Sequence, residues 1–412
     1  MLRNSITGKS SVYLSVIHYF IKSNYMTLLG FVKSRITINR NELSGAFGDI
    51  GTDLPLLIGM ILASGIDTAS VLITYGIMQL LTAFIYGIPM PVQPLKAVAM
   101  IVIAQKIGPA VIYGGGLAIG IVMLILSLTG IIDLIAKYIP KVVVRGIQFG
   151  LGIQLSMIAL KDYVMSDSYQ GYLIAGIAFV ITVLLLGNRK YPPAIFVIVA
   201  GILYALVVHF DVLSGTKMVH ISAPKFFTPS IADMVTGFLI LALPQIPLSI
   251  GNSIIATRQI AEDHFPEKKL TVKKISLTYS IINLINPILG GVPTCHGSGG
   301  MAGHYAFGAR TGGSVAIYGT MFLVLGVFFS GSFASVVKIF PLPVLGVILL
   351  FEGIWLMIYI KDIIDSKKSF FIAILVGLIA CGLPYGYLIG MVVGTILYYI
   401  SDKKVKSFLK IP

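Results

Sequence analysis

The sequence predicts an all-α polytopic membrane protein of about fourteen spans, arranged as two inverted seven-span halves. Three observations carry this. Of 412 residues, 57% are hydrophobic and only 11% charged, with a mean hydropathy of +0.95. The apolar residues fall in long runs with short breaks between them. Two of the runs are shortened and Pro-broken in the same way, about half the chain apart.

The composition excludes whole classes. A soluble chain carries about 25% charged residues, so a water-exposed globule is excluded by the shortfall, and disorder by the apolar excess. The net charge of +14 would suggest nucleic acid for a soluble protein. In a membrane chain, basic residues collect in cytoplasmic loops, so no nucleic-acid partner is expected and the bilayer is. Cys295 and Cys381 lie in separate apolar regions, with no CxxC motif. No cofactor or metal site is expected.

A spanning helix needs about 20 mostly apolar residues, and Gly and Pro are tolerated within it. The first half reads as spans near 43–64, 69–88, 92–105 (short), 110–132, 145–160, 171–187 and 193–209. The second reads as spans near 231–256, 275–289, 295–307 (short), 313–333, 341–360, 369–382 and 385–400. Residues 1–40 form an N-terminal tail with an interfacial amphipathic helix expected over 11–32, and Met26 is an alternative start. No cleavable signal is expected. The expected division is then 41–209 as the first repeat, 210–230 as an extracellular connection, 231–400 as the second repeat and 401–412 as a cytoplasmic tail.

The basic residues orient these spans. With the N-terminus inside, 24 of the 30 Lys and Arg fall in inside segments and four outside: Lys161, Lys217, Lys225 and Lys338. Lys96 and Lys106 belong to the short third span. The split predicts a multi-pass protein of the cell membrane with both termini cytoplasmic.

The two Pro-broken segments are Gly87-Ile88-Pro89-Met90-Pro91-Val92-Gln93-Pro94-Leu95-Lys96 and Gly291-Val292-Pro293-Thr294-Cys295-His296-Gly297-Ser298-Gly299-Gly300. Pro91 and Pro293 are 202 positions apart, which makes each segment the third span of its half. Seven is odd, so the second half enters the membrane inverted. Paired interrupted spans of this kind point to a ligand site near the midplane. A helix that begins there leaves its first N–H groups unpaired, and its dipole favours an anion.

The candidate site residues follow from position. Lys96 is a charge at membrane depth, hence functional unless it snorkels to an interface. Gln93 is placed to donate an amide to an oxyanion, or to cap the helix locally. His296, Gly297 and Ser298 open the second short helix, where glycine lets backbone approach a ligand. Cys295 reads as packing. Asp49 and Asp53 lie four apart on one helix face, as a proton relay, as counter-ions for Lys96, or as acids at a frayed end. Gln245 sits beside Pro244 and Pro247, which are expected to break the eighth span. Gln245 and Asn252 serve either a ligand or hydrogen bonds between helices. Glu352 is a lone acid in the twelfth span, for proton coupling or for pairing with a neighbour.

At these residues the chain resembles a known family. Glu42-Leu43-Ser44-Gly45 with Gly48-Asp49-Ile50-Gly51-Thr52, then Pro91-Val92-Gln93-Pro94-Leu95-Lys96, then Pro293 to Gly300 and His304 to Gly313, resemble the molybdate transporter family related to the sulfate permeases. The resemblance spans about residues 41–400. It implies a seven-plus-seven inverted repeat shared with uracil permease-like carriers. Spans 1–4 and 8–11 would form a substrate-carrying core, and spans 5–7 and 12–14 a gate. It also implies secondary active uptake of a tetrahedral oxyanion, molybdate first. The anion would lie among Gln93, Lys96, His296 and nearby backbone, without the regulatory STAS domain of sulfate permeases. Sulfate is the alternative substrate, followed by a nucleobase or an anion channel on the same fold. Coupling is expected to use protons, through Asp49 and Glu352. A homodimer is a candidate assembly. An enzyme is not expected, because Cys295 and His296 are adjacent and their side chains diverge.

Overall fold

The computed structural model describes residues 30–188, 190–208, 221–331, 333, 340–383 and 385–400. Most of the interfacial helix expected over 11–32, much of the 210–230 connection and the 401–412 tail lie outside these residues. The first half runs α1 (Arg40–Ala46), α2 (Ile50–Ser64), α3 (Thr68–Tyr86), β1 (Val92–Pro94), α4 (Lys96–Gln105), α5 (Pro109–Leu128), α6 (Ile131–Tyr138), α7 (Lys141–Ile158), α8 (Ser168–Leu185) and α9 (Pro193–Val208). The second runs α10 (Ile231–His264), α11 (Val272–Ile285), β2 (Thr294–His296), α12 (Ser298–Ala306), α13 (Gly313–Phe329), α14 (Leu342–Ile358), α15 (Lys367–Gly382) and α16 (Gly386–Ile400).

By length and composition, seven of the described helices suffice to cross a bilayer, and α9, α13 and α16 are shorter apolar helices. The outward side chains agree with a lipid surround: Leu173, Ile177, Val180 and Leu184 of α8 and Val207 of α9 are exposed.

The inverted repeat is visible in which helices pack. Helix α3 packs on α13, and α11 packs on α5. These are the second and fourth spans of opposite halves, with the halves exchanged. The strands state the same symmetry more sharply. β1 pairs antiparallel with β2 in the register Val92 to His296, Gln93 to Cys295 and Pro94 to Thr294. The offset of 202 between Pro91 and Pro293 also relates Gln93 to Cys295, so the central pair joins two equivalent positions. A two-fold axis must pass between them.

The helices form two groups. One holds α1 to α5 with α10 to α13. In the other, α7 packs on α14 and α15, and α15 on α16, with α8 and α9 beside α14. Their membership matches the spans expected above to form core and gate, and the two groups are called core and gate below.

Two sequence expectations need correction. The prolines do not break the eighth span. α10 runs unbroken for 34 residues, with π-helical turns at Phe238–Ala242 and Ser249–Ala256 on either side of the proline segment. A π turn widens the helix by one residue and absorbs the missing proline donor without a stop. The fourth span also ends early. Gly130 takes φ 75°, which glycine adopts at little cost, and the chain turns there into the separate helix α6.

Candidate anion site

The site lies where β1 and β2 hand the chain to the two short helices. The N-terminus of α4 does not stand free. Gln245 reaches over from α10, and its Oε1 accepts from Ala97 N at 2.9 Å and Val98 N at 3.4 Å. Its Nε2 donates to Ser249 Oγ at 3.1 Å, and that hydroxyl meets Tyr279 OH at 2.8 Å. The carboxamide is thus held on both sides, and two of the orphan donors of α4 are satisfied.

Lys96 is the first residue of α4. Its Nζ is buried and has no hydrogen-bond partner among the described residues. Asp49, Asp53 and Glu352 lie within its electrostatic reach, yet among the described residues none is within the 4.0 Å of an ion pair with it. The expected counter-ion contact is therefore absent from this conformation. A buried cation without a bonded partner is costly, so the position is suited to an anion that comes and goes.

The N-terminus of α12 is different. No side chain caps it. A Cβ added at Gly300 would overlap Asp49 Oδ2, and one added at Gly299 would come within 2.5 Å of Glu352 Oε1. The two glycines thus leave room for two carboxylates beside the helix start. Both acids are fully buried, and among the described residues Asp49 Oδ2 and Glu352 Oε1 accept no hydrogen bond. Their other oxygens are engaged: Asp49 Oδ1 accepts from Gln93 Nε2 at 2.6 Å, and Glu352 Oε2 from Thr52 Oγ1 at 2.9 Å. Asp49 belongs to the core and Glu352 to the gate, so Thr52 to Glu352 is a contact between the two groups. Asp53 lies deeper and accepts from the hydroxyls of Tyr75 and Tyr318.

The other expected residues fall out as follows. Gln93 gives its Nε2 to Asp49, and its buried Oε1 has no hydrogen-bond partner among the described residues. Ser298 Oγ donates to Asn252 Oδ1, and Gly297 lies against the Gln93 side chain, which any Cβ there would overlap. His296 is turned away. Its Nε2 meets Thr278 Oγ1 at 2.8 Å and lies 3.5 Å from Tyr86 OH. Alternation along β2 explains this: Cys295 and His296 point to opposite sides, and the histidine points between α3 and α11.

A cavity of about 1030 Å³ adjoins the site. Thr52, Lys96 and Pro247 line its core side, while Gln154, Leu349 and Tyr387 line its gate side. It reaches the surface beside Asp162, Leu383 and Tyr385, all exposed. Tyr387 OH donates to Gln154 Oε1 at 2.5 Å, a polar pair on the gate wall. Sequence reasoning missed Thr52, Gln154 and Tyr387. Thr52 had a signal, since it stands in a quoted motif, but the other two had none.

The Glu42 motif is accounted for too. Its carboxylate, buried at the start of α1, accepts from Arg310 N, Thr311 N and Ser314 N at 2.8–2.9 Å. It pins the first span to the turn after α12.

The described geometry can be set beside known proteins. The profile of a family described as "Molybdate transporter of MFS superfamily" matches residues 41–155 and 237–356. Molybdate transporter 1 of Arabidopsis thaliana is 32% identical over 404 residues, covering 87% of each chain. The chain belongs to the molybdate transporter family. Molybdate transporter 2 of the same plant is 30% identical, covering 90% of each chain, and Molybdate transporter 1 of Chlamydomonas reinhardtii is 25% identical. Family and relatives are transporters, and this chain is a multi-pass membrane member.

Its fold is similar to the transmembrane domain of the cyanobacterial bicarbonate transporter BicA, with a TM-score of 0.53 at 15% identity over 88% of this chain and 98% of that one. It is similar also to SLC26A9, with a TM-score of 0.56 at 13% identity over 92% of this chain and 70% of that one. At such identities the likeness is one of fold. The molybdate transporter family chain thus shares its fold with these two proteins.

Proposed function

We propose that the chain imports molybdate across the cell membrane in symport with protons, with fourteen crossings, halves at 41–209 and 231–400, and both termini cytoplasmic. The observation that carries the anion site is Lys96, a buried ammonium without a partner among the described residues, lining a cavity between core and gate. A tetrahedral dianion seated there would meet Lys96 and the uncapped first N–H groups of α12 at Ser298 to Gly300. Gln245 serves by holding α4, and Gln93 by holding Asp49. His296 is not assigned to the anion. The basic-residue split supports the orientation, which makes the cavity an outward one. A homodimer is the proposed assembly.

The acids supply the coupling. Asp49 Oδ2 and Glu352 Oε1 stand at the start of α12, where the anion would be drawn by the same dipole. While both are charged they repel it, and protonation of both clears the helix end. Anion affinity should then rise as pH falls. The energetics require such help. A dianion entering against the membrane potential costs roughly 2.3 kcal/mol per charge per 100 mV, about 4.6 kcal/mol for two. Two protons cancel that charge.

Uptake in proteoliposomes tests the reading, with molybdate as substrate and sulfate or uracil as competitor, with and without an inward proton gradient. Molybdate should accumulate with the gradient in sodium-free buffer, and sulfate should compete better than uracil. Uptake that follows sodium and ignores pH would overturn the coupling. Preferred competition by uracil would overturn the anion site.

A further inference from the structure

At the end of the molecule opposite the cavity, Arg145 is fully buried and bonded to two carboxylates, Asp263 and Asp362. Its Nη2 lies 2.6 Å from Asp263 Oδ2. Lys141 joins from the side, 3.9 Å from Asp263 and 3.2 Å from Asp362. The origins of these residues matter. Arg145 and Lys141 begin α7 and Asp362 follows α14, all in the gate group. Asp263 ends α10, in the core group. Each of the three helices also lines the cavity farther along its length: Leu151, Leu155 and Ile158 on α7, Pro244, Pro247 and Leu248 on α10, and Leu349 on α14.

A second cross-group contact seals the same end. His264, next to Asp263, stacks on Tyr305 with ring centroids 3.8 Å apart, and its Nε2 meets Tyr359 OH of the gate at 2.7 Å. Arg145 lies over the Tyr359 ring at 5.2 Å, and Gln148 accepts from its Nη1.

We propose that the Arg145–Asp263 pair is the lock that holds this face closed while the cavity face is open, so that the anion leaves through this face only after the pair separates. The partners of Arg145 make such a separation possible. Asp362 stays beside Arg145 however core and gate move, because both are in the gate. Arg145 therefore keeps a counter-ion when Asp263 departs, and Asp263, which is partly exposed, moves toward water. The lock opens without stranding a buried guanidinium, which is the costly outcome for a buried pair. A lock built from Arg145 and Asp263 alone would lack this property.

The inference rests on the transport reading, but its test needs no substrate. Ala256, buried beneath the lock on α10, is replaced by cysteine in a chain with Cys295 and Cys381 changed to serine. A membrane-impermeant thiol reagent is then applied to each side of sealed vesicles. The unaltered lock should leave position 256 protected from the Arg145 side. Asp263→Asn and Arg145→Met should each raise labelling at least tenfold, and Asp362→Asn, which removes a contact within the gate, should not. The exchange of Arg145→Asp with Asp263→Arg should restore protection if either single variant folds poorly. Equal labelling in all variants, or Asp362→Asn matching Asp263→Asn, would overturn the lock while leaving molybdate uptake to be judged separately.

Discussion

The two short helices α4 and α12 are equivalent by the repeat and unlike in their electrostatics. α4 begins with a lysine, and its first donors are given to the neutral carboxamide of Gln245. α12 begins Ser298-Gly299-Gly300, carries no cation there, and is faced by two buried carboxylates. The repeat fixes where the helices start, and the side chains at those starts decide what each does. One helix end supplies a fixed positive charge. The other supplies backbone donors that two protonatable acids stand against. A symmetric pair would bind an anion without sensing protons.

The largest break in this contrast removes the fixed charge. Lys96→Ala should weaken molybdate binding by about a hundredfold, in line with roughly 3 kcal/mol for an ion contact at reduced dielectric. Lys96→Arg should recover part of it. Titration of purified protein with molybdate measures this, and wild-type affinity in a folded Lys96→Ala protein would remove Lys96 from the site.

Next in size is the gate acid. Glu352→Gln keeps the size of the side chain and removes its charge. Binding at neutral pH should be as tight as in the parent or tighter, and its pH dependence should flatten by up to one decade per pH unit. The sign follows from linkage: the parent gains affinity as pH falls because the bound state holds more protons, and the variant has one fewer to gain. Gradient-driven accumulation should fall several-fold. The groups facing Glu352 are Lys96, Asp49, Asp53, Tyr163 and Tyr318, so Asp49→Asn in the same assay separates its share. Full accumulation in Glu352→Gln would sink the coupling role.

The α4 side is sharpened by Gln245→Ala. This leaves Ala97 N and Val98 N without their acceptor, at a cost of about 1–3 kcal/mol for a buried donor. A lower thermal midpoint is expected, with a change in molybdate affinity of under tenfold. A large loss of affinity at unchanged stability would instead place Gln245 in contact with the anion.

Much of this was legible in the sequence, for reasons that also set its limits. The Pro-broken segments and their offset gave the two short helices and the inverted relation of the halves, because backbone chemistry is local. Charge at membrane depth marked Lys96, Asp49 and Glu352, because such charge is rare. What spacing could not show is which side chain meets which across the repeat. Gln245 and Ala97 are 148 positions apart, and Thr52 and Glu352 are 300. Nor could it show that Pro244 and Pro247 sit between two π turns, since a π turn has no proline signature of its own.

His296 gives the smallest expected effect and the sharpest check on where the site ends. On sequence alone it stands at the start of α12 and is a fair anion ligand. In the fold, β2 turns it toward Tyr86 and Thr278, on the far side of the strand from Cys295. Its work there is to join α3, α11 and β2 through one hydrogen bond and an edge-on contact with the Tyr86 ring at 5.3 Å. His296→Gln can keep a bond to Thr278 and loses the ring. Molybdate affinity and its pH dependence should stay within about twofold of the parent, and stability should fall by about 1 kcal/mol, read as a lower thermal midpoint. If His296→Gln instead lost tenfold in affinity with an unchanged midpoint, the anion would have to sit on the β2 side of α12. The contrast drawn between the two helix starts would then be wrong.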